Sequence, residues 1–251
     1  MIACTILALL LLSPDGDPPA MEVAEALPLT DRILMVHLKE GHAVHHRKGQ
    51  KRDEGEKVIL MALDPAAACR PEAWTVSSAE DPKYAQGAHP EKLGRKSKGT
   101  DFAMMVQGWD PAHNRTVNKD PDHAKDHWLY LSLPHPLTAG KTYTVKADGV
   151  RGVEPMTMTY SAEKSRSEAV HVNLIGYTPD SPAKFAYVYH WAGDQGSVDF
   201  SFLKGKSFRL IDQKSGKAAF TGDVTFRAPA NRQETGQVSE TPNGSFLCAE
   251  V

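Results

Sequence analysis

The sequence predicts an all-β protein made of two β-sandwich domains, the second one truncated. Three observations carry this. Short apolar-alternating runs recur along the chain with Gly and Pro between them. No stretch carries a sustained helical period with caps at both ends. A polar, unpatterned joint over residues 162–168 divides two such series.

Residues 1–26 read as a secretory signal peptide. Residues 6–12 form an apolar run too short to span a bilayer. Ala24-Glu25-Ala26 then offers small residues at the spacing a signal peptidase accepts, with the mature chain starting near Leu27. The basic residue that normally precedes such a run is missing. A secreted or periplasmic location is the expectation.

Domain 27–161 carries strands expected at 32–38, 58–63, 73–77, 102–107, 128–133, 142–146 and 157–160. The runs 128–133 and 140–145 are expected to pair as a hairpin across a long proline-containing loop. Two charged loops interrupt the domain, over 42–57 and 82–100, and the second contains Arg95-Lys96-Ser97-Lys98-Gly99. Both read as solvated surface.

Domain 169–251 opens with Val170, Val172 and Leu174 alternating with His171 and Asn173, the period of a strand with one buried face. Gly176 marks a turn, Pro179 and Pro182 a corner, and 184–189 a return strand. Further runs lie at 198–202, 207–212, 217–222, 224–227 and 245–251. Residues 213–216 join two of these as a hairpin, with Gly216 placed for a left-handed turn position.

Composition excludes several classes. Hydrophobic residues at 41% and charged residues at 24% give enough core to rule out global disorder. A net charge of −2 offers no basic excess for nucleic acid. Cys4 lies in the expected signal and Cys69 and Cys248 fall in different expected domains, so a disulfide framework is not the organising principle. His42, His45 and His46 form one metal-like cluster, and Asp120, Asp122, His123, Asp126 and His127 another. Neither has a Cys pair, an HExxH motif or EF-hand spacing, so no metal ligand is assigned. With no nucleophile elbow and no phosphate loop, no catalytic or cofactor-binding residue is assigned either. Tryptophans in strands default to core packing. Trp109, in the loop-like Gln107-Gly108-Trp109-Asp110-Pro111, is the one assigned to carbohydrate contact.

Residues 166–251 resemble the N-terminal immunoglobulin-like domain of family 9 glycoside hydrolases, the cellulase family. The likeness rests on Val170-His171-Val172-Asn173, Gly176-Tyr177, the hairpin strand at 208–212 and Thr241-Pro242-Asn243-Gly244. Residues 27–160 resemble the β-rich leader of some large bacterial members. The resemblance implies a secreted enzyme degrading β-glucans, with accessory β-domains ahead of an (α/α)6 barrel. That barrel holds the catalytic acids, and the immunoglobulin-like domain supports it. His190-Trp191-Ala192-Gly193-Asp194 is similar to the barrel's Asp-Ala-Gly-Asp motif but lacks its first aspartate, so Asp194 is expected to be a turn residue. Immunoglobulin-like sandwiches need about 100 residues, more than follow Ala169. The domain is therefore expected to be incomplete, with the downstream barrel as its partner. The alternative is a stand-alone carbohydrate-binding or adhesion module. A metal-dependent enzyme using the His-rich loops is a third.

Overall fold

The computed structural model describes residues 21–45, 48–49, 57–103, 107–118 and 123–227. The first strands are β1 Glu22–Thr30, β2 Ile33–Lys39, β3 Gly41–Val44, β4 Lys57–Leu60, β5 Trp74–Ser77 and β6 Lys92–Phe102. Next come β7 Gln107–Asp110, β8 Arg115–Asn118, β9 His123–Ser132, β10 Thr142–Ala147 and β11 Met156–Thr159. The last are β12 Val170–Val172, β13 Ala186–Val188, β14 Ser207–Ile211 and β15 Ala218–Asp223. The longest helix among the described residues is α1, the four residues Pro65–Ala68. The protein is all-β.

Two antiparallel sheets form a sandwich. One has the order β1-β2-β9-β6 and the other β11-β10-β5. Alternation along the strands decides what each face touches. Leu34, Val36 and Leu38 of β2, with Leu129 and Leu131 of β9, meet Trp74, Val76, Tyr143 and Val145 of the facing sheet. Trp74 has no exposed surface, and its indole N–H donates to the Ala68 carbonyl at 2.8 Å, so its polar atom is satisfied.

Met35 and Tyr130 point the other way, yet they are equally buried. Ala169, Ala192, Val198 and Phe200 cover them. The four-stranded sheet thus has both faces covered, which explains why residues 33–36 and 128–131 are nearly continuous apolar runs. The polar joint lies against β1: Ser167 Oγ donates to the Leu29 carbonyl at 2.7 Å, and Arg166 pairs with Glu25 at 2.6 Å.

Several expectations change. Strands β9 and β10 lie in different sheets, so the chain between them turns a corner of the sandwich and makes no hairpin. The basic run Arg95-Lys96-Ser97-Lys98-Gly99 is the middle of β6, an eleven-residue strand, not a loop. Its polar sequence hides the period, and pairing with β9 supplies the strand. The run expected over 102–107 is interrupted: β6 ends at Phe102, Ala103 lies outside any strand, and residues 104–106 lie outside the described residues. Residues 198–202 do not form a strand either; Ser201–Leu203 make a 3-10 turn with Phe200 buried beneath it. Strand β1 was not expected. It carries Pro28, which an edge strand tolerates, and it runs through Ala24-Glu25-Ala26.

Other expectations agree with the fold. Strands β12 and β13 pair across the turn at Gly176, whose φ is +91°, but the face expected to be buried is not: Val170 and Val172 are 53% and 55% exposed and Leu174 lies beyond the strand. Strands β14 and β15 pair around Gly216, whose φ of +68° is the left-handed value that suits glycine. The expected run 245–251 lies outside the described residues.

Candidate functional site

The end of β2 and the first half of β9 and β6 bring together four polar side chains that are remote in sequence. Glu40 follows β2 directly and is 3% exposed. Its backbone N–H donates to the Lys125 carbonyl, and its Oε1 accepts from the Lys125 N–H, both at 3.0 Å. These bonds lock the carboxylate in one orientation. Its Oε2 lies 3.1 Å from His127 Nε2. On the far side of that imidazole, Nδ1 is 2.8 Å from Ser97 Oγ. Arg95 Nη1 donates to the same hydroxyl oxygen.

The carboxylate fixes the imidazole tautomer. A carboxylate accepts, so Nε2 carries the proton and Nδ1 is left to accept from the Ser97 hydroxyl. Glu40 and His127 are buried, whereas Ser97 is exposed at the rim of the sheet. The result is a carboxylate–imidazole–hydroxyl relay with its reactive end facing solvent.

A second cluster occupies the opposite face of the same strands. Asp126 Oδ2 meets His37 Nε2 at 2.7 Å, and Asp126 Oδ1 accepts from Thr100 Oγ1 at 2.7 Å. His37 stacks on Trp128 with centroids 4.6 Å apart. Lys96 Nζ sits 4.8 Å from the Trp128 ring, a cation–π contact, and burial pushes its ammonium pKa down.

The expected sites fare differently. Trp109 lies in the β7–β8 hairpin, not in a loop, and is 60% exposed. Asp194 sits in the 3-10 turn Gly193–Gln195, where Oδ1 accepts from the Arg95 N–H at 2.7 Å, so it is the turn residue expected. The second metal-like cluster is split by strand alternation. Asp126 faces His37, His127 faces Glu40, and His123 stacks on Phe102. In the first cluster, His45 pairs with Asp101 at 3.6 Å. Asp120, Asp122 and His46 lie outside the described residues. Among the described residues no group of three or more His, Cys, Asp or Glu has a metal-holding arrangement.

The relay was missed in the sequence because its members are 87 and 30 positions apart. One signal was present: His127 falls on the inward register of Leu129 and Leu131, and a buried histidine needs a partner. The chain matches no family model, no curated protein and no solved structure. Among the described residues no helix is long and apolar enough to cross a membrane.

Proposed function

We propose that this chain is the N-terminal, non-catalytic part of a secreted family 9-like glycoside hydrolase. In this reading its second half is an immunoglobulin-like support for an (α/α)6 barrel. One observation supports the reading: among the described residues, many apolar side chains of that half, outside the 190–203 segment packed on the sheet, are exposed. Leu174 and Ile175 are 97% and 98% exposed, and every residue of β14 is exposed, Phe208, Leu210 and Ile211 included. A two-stranded hairpin such as β14–β15, with no layer on either face among the described residues, is marginal in water. Apolar surface of this extent marks an interface with further polypeptide.

The test is the coding sequence immediately after the Val251 codon. The expected result is an open frame running into a helical barrel that carries an Asp-Ala-Gly-Asp motif. A stop codon there would overturn the proposal. A matching expectation is that the isolated chain releases no reducing sugar from cellulose or mixed-linkage glucan.

Export is part of the same proposal. Met21 lies in the core and residues 22–26 of β1 pair with β2. Cleavage after Ala26 would remove Glu25, the partner of Arg166. The β1–β2 pairing argues against the expected boundary after Ala26 and supports, within this reading, a leader that ends ahead of Met21.

A second reading, a stand-alone carbohydrate-binding module, draws on the exposed indole of Trp109. Affinity electrophoresis on soluble glucans tests it. Retardation of the native chain that Trp109→Ala abolishes would support it, and equal migration of the two would sink it.

A further inference from the structure

We propose that Ser97, His127 and Glu40 form an esterase site in this domain, acting on small acyl esters at the rim of the sandwich. The proposed function assigns this chain no part in glycoside hydrolysis, and the esterase site is a separate activity that stands or falls independently of it. It rests on three features of one constellation.

The first is connectivity. Ser97 Oγ, His127 Nδ1, His127 Nε2 and Glu40 Oε2 form an unbroken chain with contacts of 2.8 and 3.1 Å. A nucleophile bonded to a base, with that base held by a third group, is the arrangement that activates a hydroxyl. The second is the burial gradient. Glu40 and His127 are each 3% exposed, while Ser97 is open to solvent, so the base is shielded and the nucleophile reachable.

The third is a supply of donors for a developing oxyanion. Strand β6 is the edge of its sheet. The Arg95 N–H points off that edge to Asp194 Oδ1. By strand alternation the Ser97 N–H, two residues on, faces the same edge. The Arg95 guanidinium also touches Ser97 Oγ, and its Nε is buried without a hydrogen-bond partner. The Arg95 N–H is held by Asp194 and the buried Nε is shielded, which leaves the Ser97 N–H and Arg95 Nη1 as the donors beside the nucleophile that suit the charge on a tetrahedral intermediate.

The steps balance without a further cofactor. Ser97 Oγ bonds to the acyl carbon as its proton passes to His127 Nδ1. The carbon–alkoxy bond breaks, and the leaving alkoxide takes that proton away as an alcohol. Water then adds to the acyl-Ser97 carbonyl, giving its proton to His127. The ester to Ser97 breaks, the proton returns to Oγ, and a carboxylic acid leaves. Glu40 is a positioning residue, holding the imidazole with Nδ1 unprotonated toward the serine.

The experiment uses the full chain with 4-nitrophenyl acetate and a fluorophosphonate probe. The expected results are hydrolysis above the buffer rate and one phosphonyl adduct mapped to Ser97 by mass spectrometry. Ser97→Ala, a substitution at an exposed position, loses both, with a rate reduction of about 10²-fold or more. Glu40→Gln presents an amide N–H to Nε2 and forces the opposite tautomer. It lowers kcat with KM unchanged, and Glu40→Asp restores part of the loss. A Ser97→Ala protein that folds and hydrolyses at the native rate, or an adduct mapped elsewhere, would overturn the assignment. So would the absence of both adduct and hydrolysis in the folded native chain.

Discussion

His190 Nε2 lies 3.0 Å from the Tyr130 hydroxyl, joining residues 60 positions apart and fastening the 190–200 segment to the four-stranded sheet. The two rings also meet edge to face at 5.1 Å. Burial, followed by the nearby Lys96 ammonium, pushes the His190 pKa down from 6.5 to about 4, and His171 adds to the same effect. Glu168 acts in the opposite direction through its backbone.

That depression has a definite sign. The folded state keeps His190 neutral, while the unfolded chain takes up a proton once the pH falls below 6.5. Stability is therefore full above that value and declines as the pH falls toward about 4. His190→Gln keeps a partner for Tyr130 but does not titrate. Its Tm should fall less than that of the native chain between pH 7 and pH 4.5, measured by calorimetry. Parallel pH curves for the two proteins would refute the linkage.

Tyr143 and Asp81 make a second titrating contact within the sandwich. The Tyr143 hydroxyl donates to Asp81 Oδ2 at 2.6 Å and accepts from the Thr138 N–H at 2.7 Å. The phenol bond is the main reason that the Asp81 pKa is lowered, against the opposing effect of burial. A lowered carboxyl contributes stability above pH 3.8, lost as the pH falls through its folded value. Tyr143→Phe should cost about 1–3 kcal/mol at neutral pH, because it strands a buried acceptor. It should also flatten the acid limb of the unfolding curve.

Gly193 tests the seating of the third layer on β6. Its φ is +62°, and a Cβ there would lie 2.1 Å from the Arg95 carbonyl oxygen. Gly193→Ala combines backbone strain with a clash against strand backbone, and should destabilise by about 1–3 kcal/mol. Hydrogen exchange would show the loss concentrated in residues 190–203. Unchanged exchange there would mean that the segment is not held by this contact.

The N-terminus gives a fourth prediction. A protein begun at Leu27 loses the Glu25–Arg166 pair and most of the β1–β2 ladder. Its Tm should drop by about 5 °C or more relative to a protein begun at Met21. Under the export proposal, N-terminal sequencing of the secreted protein should find Met21 retained.

Much of the fold was legible in the sequence. Strands β2, β5, β10 and β11 follow from local alternation, and the β14–β15 hairpin follows from the turn residue Gly216. Strand β6 was not legible. Its residues are basic and small, and their strand state comes from β9 beside them, a neighbour remote in sequence. Strand β1 was masked by small residues that also suit a cleavage site.

The sequence by itself determined that this is an all-β protein, since alternation and turn chemistry are local properties of the chain. It also determined that Asp194 would sit in a turn. Only the tertiary structure decided that His127 faces Glu40 while its neighbour Asp126 faces His37. Adjacent strand residues point to opposite faces, and what waits on each face is set by sheet order. Sheet order likewise brought Ser97 to His127 and laid Phe200 over Tyr130, contacts that no short stretch of sequence encodes.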